Sequence, residues 1–173
     1  MALDGMSIHN PLDMIEQLAS GREWLSDRRG DAELILWLSG AQATHELNLY
    51  LGHNTGLSSR LSPSDALDLQ AVCLLDLKIS PDRNTEALTL LAHINARLWF
   101  GHFDLWIDDG VILFRYGLTI ESGETGVRQC EALIQCSYEA CETYTPAFHY
   151  LSHAEISAEQ ALAACMFETA GEA

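Results

Sequence analysis

His102-Phe103-Asp104-Leu105-Trp106-Ile107-Asp108-Asp109-Gly110-Val111-Ile112-Leu113-Phe114-Arg115-Tyr116-Gly117-Leu118-Thr119-Ile120 reads as two strands folded back on each other. Asp108-Asp109-Gly110 is a tight-turn signal, because glycine tolerates the positive φ such turns require. Strands are expected over His102 to Asp108 and Val111 to Ile120. On the first, Phe103, Leu105 and Ile107 share one face, and Ile112, Phe114, Tyr116, Leu118 and Ile120 on the second can share it. His102, Asp104, Trp106, Leu113 and Arg115 then point the other way.

Upstream, Ser80-Pro81 opens a helix. Leu88, Leu91, Asn95 and Leu98 share a face, Ala87 and Ile94 widen it, and Gly101 stops it. Asn95 lies on that apolar stripe, so its amide is expected to satisfy a strand or loop backbone group. Further upstream the period is two. Leu34, Leu36 and Leu38 oppose Ile35 and Trp37, Leu47, Leu49 and Leu51 alternate with Glu46, Asn48 and Tyr50, and Ala71, Cys73, Leu75 and Leu77 alternate with Val72, Leu74, Asp76 and Lys78. These runs suggest a three-strand antiparallel meander. Gly52 to Ala66 is the longest irregular stretch, a long loop. Asn10-Pro11 starts a first helix through Leu12, Ile15, Leu18 and Ala19, and residues 1–9 are expected to be a flexible lead.

Downstream, Val127, Cys130, Ile134, Ser137, Cys141, Tyr144 and Phe148 step by three and four, as a long helix lying on a sheet does. Pro146 should kink or break it. Ser157 and Gln160 form a capping box for a final helix. The expected fold is α+β in the order α-β3-α-β2-α-α, a mostly antiparallel sheet of meander plus hairpin with helices on one side.

The 173 residues suit one domain, and 48% hydrophobic content fills one core. There are 25 Asp and Glu against 9 Lys and Arg, a net charge of −16, and Lys78 is the lone lysine. Nucleic acid and anionic membranes are therefore poor partners, since both draw on clustered basic residues. A basic partner segment fits the charge better. No basic and apolar leader opens the chain and no stretch is long enough to span a membrane, so a cytoplasmic address is expected. Cys73, Cys130, Cys136, Cys141 and Cys165 form an odd set without a CxxC pair, and read as reduced core thiols.

Specific residues add a family resemblance. Ile94-Asn95-Ala96-Arg97-Leu98-Trp99-Phe100-Gly101-His102-Phe103-Asp104-Leu105-Trp106, then Phe114-Arg115-Tyr116, Tyr144-Thr145-Pro146-Ala147-Phe148 and the closing Glu168-Thr169-Ala170-Gly171-Glu172-Ala173, resemble the YbjN-domain family. The resemblance implies a bacterial sensory transduction regulator with a fold similar to type III secretion chaperones, which bind extended segments of other proteins. It carries over no catalytic residue. The Gly52 to Ala66 connection is longer than the family pattern.

Candidate chemistry is sparse. His149 and His153 stand four apart with Glu155 nearby, but a third fixed metal ligand is missing. The alternative is two solvent-facing histidines beyond Pro146. His102, Asp104 and Arg115 could form a polar cluster for acid–base work or ligand sensing, though cross-strand pairing of Asp104 with Arg115 is the simpler outcome. No GxSxG, GxxxxGK[ST] or GxGxxG pattern occurs, and no cofactor or metal is expected. The expectation is a non-enzymatic regulatory or chaperone-like protein-binding domain. Its partner-binding face comprises Trp37, Val72, Leu74, His102, Asp104, Trp106, Leu113 and Arg115, and self-association is an alternative use of the same face.

Overall fold

The computed structural model describes residues 10–41, 43–53, 67–120 and 124–171. In chain order the elements are α1 (Pro11–Gly21), β1 (Leu25–Arg28), β2 (Glu33–Ser39), β3 (Thr44–His53), β4 (Leu67–Lys78), α2 (Asn84–Asn95), β5 (His102–Trp106), β6 (Val111–Ile120), α3 (Glu124–His153) and α4 (Ala158–Gly171). All strand pairs are antiparallel, in the spatial order β1-β2-β3-β4-β6-β5. The four helices pack against one face. The α+β architecture read from the sequence is present, with one more strand than expected. The short β1 lacks a periodic apolar run, because three of its four side chains are exposed.

Local signals act where the sequence places them. Asn10 caps α1, its Oδ1 accepting from Leu12 N at 2.9 Å, and α4 opens on a reciprocal box in which Ser157 N donates to Gln160 Oε1 and Gln160 N to Ser157 Oγ. The β5–β6 turn comes two residues early. Trp106 O accepts from both Asp109 N and Gly110 N, so Ile107 belongs to the turn and is exposed rather than core. Gly110 has φ +67, and a side chain there would strike the Ile79 carbonyl.

The covered core joins Leu12 and Ile15 of α1, the alternate strand residues Leu34, Leu36, Leu47, Leu49, Leu69, Phe103 and Phe114, and the inner faces of α2, α3 and α4. Phe103 is its aromatic hub, with ring contacts to Phe114, Tyr144 and Phe148. On α2 the buried stripe is Ala87, Leu90, Leu91 and Ile94. Leu88, expected inward, is exposed, because a 3-10 turn over Pro81–Arg83 precedes the α-helix and rotates its inward face. α2 also ends at Asn95, short of Gly101. Asn95 performs the role expected of it, its amide donating to Phe103 O at 3.0 Å and accepting from Phe103 N at 2.8 Å, which closes the free edge of β5. α3 runs unbroken through Pro146, against the expected break. The loop expected at Gly52 to Ala66 lies outside the described residues from position 54 onward, as does the expected lead at 1–9.

Candidate functional site

The ladder registers decide which side chains share the face away from the helices. One row runs Asp27, Ile35, Asn48, Val72, Arg115, His102 across all six strands, each directly opposite the next. The neighbouring row holds Leu25, Trp37 and Glu46 on one side and Leu74, Leu113 and Asp104 on the other, and Trp106 opposes Val111 beside it. The eight residues singled out in the sequence therefore lie on one face, the one the helices leave uncovered.

That face is not uniform. Ile35, Val72 and Leu113 are buried yet stand outside the helix-covered core, so they form a second, thinner apolar layer. Leu25, Trp37, Tyr50, Leu74 and Trp106 surround it at partial or full exposure, Trp106 at 42%. Asp104 and Arg115 pair across the hairpin at 3.9 Å, as expected, but on a diagonal, since Arg115 directly opposes His102. Both partners are partly solvated, which makes this a weak structural contact.

At one end the sheet splits. The β3–β4 ladder stops at Leu47 opposite Cys73, and β4 shifts register between Leu74 and Lys78. Beyond that point lies a recess of about 410 Å3. Trp37, Glu46 and Leu74 line it from the open face, with His45, Thr145 and His149 from the helix side and Asp76 from β4. The Thr145 hydroxyl is buried without a hydrogen-bond partner.

Behind the recess a chain of polar groups enters the core. His45 Nε2 lies 2.7 Å from Glu142 Oε2, and Ala41 N donates to Glu142 Oε1 at 2.7 Å. Gly40 makes this approach possible, since a side chain there would overlap the carboxylate. Cys73 hydrogen-bonds Cys141 and His45. The Cys141 contact, with a further contribution from His45, draws the Cys73 thiol below its ordinary value despite burial, and Cys141 is pushed up in turn. His45 is raised, chiefly by its Cys73 hydrogen bond, against the cost of burial and with the help of Glu142. A thiol, imidazole and carboxylate held this way favour proton sharing inside the fold.

Sequence reasoning missed this cluster, since Glu142 is 97 residues from His45. The available signal was parity: His45 occupies the same buried alternation as Leu47 and Leu49. Cys73 and Cys141 were placed correctly as buried thiols but not beside each other. His149 and His153 do share a helix face, with rings 5.9 Å apart. His149 is half-buried at the recess, which corrects the solvent-facing alternative, and desolvation with the neighbouring His153 lowers its pKa. Among the described residues no group of three or more His, Cys, Asp and Glu side chains is arranged to hold a metal ion, and no described helix is long and apolar enough to cross a membrane.

Residues 11–149 match the family described as "YbjN: Putative bacterial sensory transduction regulator". A structure described as "Crystal structure of YbjN, a putative transcription regulator from E. coli" is similar at 16% sequence identity and a TM-score of 0.44, covering 76% of this chain and 85% of that chain. No curated protein sequence matches significantly.

Proposed function

This chain belongs to the YbjN family, and from that premise we propose that it is a non-enzymatic regulatory domain whose helix-free sheet face binds an extended segment of another protein, in the manner of a chaperone. One observation carries the reading. Trp37, Leu74 and Trp106, with Leu25 and Tyr50, stay solvent-accessible around a buried apolar layer, and no described helix packs over them. Aromatic side chains offer large contact area with a polar handle, and an apolar patch of this kind marks an interface more often than bare surface.

The charge of the face selects the occupant. Asp27, Glu33, Glu46 and Asp104 share it, and its arginine, Arg115, is already paired. With −16 overall, the complementary partner is a segment carrying apolar and basic side chains. The cytoplasm, rich in such partners, is the proposed compartment. The test compares wild type with Trp106→Glu in quantitative affinity capture and in analytical ultracentrifugation. Loss of specific captured proteins, with unchanged circular dichroism and unchanged mass, supports partner binding. Loss of a dimer instead assigns the face to self-association, and a folded variant with the same partners and the same mass overturns the reading.

A further inference from the structure

The recess where β3 and β4 part is a binding site in its own right, and its chemistry deepens the docking reading on which it rests. Glu46 and Asp76 bring carboxylates to its lining, and no Lys or Arg side chain lines it. His149 is held toward its neutral form, so a ring nitrogen is available as an acceptor. The His45 imidazole is balanced by Glu142 at 2.7 Å and adds no free positive charge.

Two further features set the shape of the ligand. Thr145 lines the recess at 9% exposure, and its Oγ1 has no hydrogen-bond partner, an expensive omission for a buried hydroxyl unless a guest supplies one. Trp37 contributes an aromatic side chain at the open-face rim. Acceptors spread over a hydroxyl, an imidazole and two carboxylates beside an indole match a flat group with several fixed donors. An ammonium is compact and carries three donors, whereas a guanidinium carries five in a plane and stacks on aromatic rings.

We infer that this recess is the anchor pocket for an arginine side chain of the partner segment, with the flanking apolar residues of that segment lying on Trp37 and Leu74. The pocket opens on the face proposed for docking, because Trp37, Glu46 and Leu74 belong to both. A bound arginine therefore leads its own backbone onto that face.

The experiment titrates the full chain with Nα-acetyl-arginine amide, its citrulline counterpart and its lysine counterpart, followed by NMR of the Trp37 indole and the His149 ring. A fourth probe is a short acetylated peptide with leucines on both sides of one arginine. The expected result is saturable shifts with arginine, a response at least tenfold weaker with lysine, none with citrulline, and tenfold tighter binding of the peptide. Glu46→Gln with Asp76→Asn should weaken arginine binding at least tenfold, and both are exposed positions that leave the core untouched. Citrulline binding as well as arginine, or indifference to the double substitution, overturns the inference. Equal affinity for the amide and the peptide would make this a small-molecule site and overturn the partner-segment assignment. Trp106→Glu, run in parallel, keeps arginine binding. The docking face is thus judged on partner capture and the recess on this titration, and either can fail alone.

Discussion

The two faces of the sheet are built from the same six strands and differ in what lies opposite them. On the covered face Leu34, Leu36, Leu47, Leu49, Leu69, Phe103 and Phe114 meet helices that bury them completely or nearly so. On the other, Ile35, Val72 and Leu113 are equally withdrawn from water, but they are walled in by Trp37, Leu74 and Trp106, which stay accessible. Burial of one apolar layer by helices makes a core. Burial by half-exposed neighbours makes a surface that can be opened, shielded or occupied.

The contrast can be tested position by position. Phe103→Ala removes the aromatic hub of the covered face and should cost ~3–5 kcal/mol in a denaturant melt, the range for truncating a buried phenylalanine. Leu113→Ala probes the opposite layer: full enclosure predicts a loss of ~2–5 kcal/mol, and a loss near zero would show that this layer is merely crowded. Asn95→Ala tests whether the β5 edge needs its amide clamp. Losing both bonds to Phe103 should cost ~1–3 kcal/mol, and hydrogen exchange should rise at the Phe103 amide while β3 is unaffected.

Smaller effects sharpen the comparison further. Trp106→Glu should change stability by at most about 1 kcal/mol, because its side chain is already half in water. A cooperative unfolding as large as that of Phe103→Ala would show that the open face is core after all. His149 gives the smallest effect, and one with a sign. Its pKa is lowered by desolvation and by His153, opposed by Asp76. Between its folded value and the unfolded value of about 6.5 the unfolded chain binds more protons. Stability from this group therefore falls as the pH drops through that window and then levels off. His149→Gln should lose less stability on acidification than wild type, measured by melts across that range, and an unchanged difference between the two would remove His149 from the recess wall.

Much of this was legible in the sequence because it depends on near neighbours. Asn10 and the Ser157–Gln160 box cap helices within four residues, and Asp108-Asp109-Gly110 turns the chain locally. Alternation assigned Trp37, Val72, Leu74, Trp106 and Leu113 to a common face, since pleating fixes parity. Ile107 and Leu88 were misread for local reasons too: the turn began before its signal residues, and a 3-10 turn shifted the phase of α2.

What the sequence by itself determined is therefore the element types, the antiparallel sheet, the side of each strand residue and the acidic character that excludes polyanions. Tertiary structure alone decided that helices cover one face, that β3 and β4 part beyond Leu47 and Cys73, and that His45, Cys73, Cys141 and Glu142 meet. The physical reason is range. Parity, capping and turn preference are energies of the chain with itself over a few residues, whereas a split ladder and a link spanning 97 residues arise only when separate elements compete for the same space.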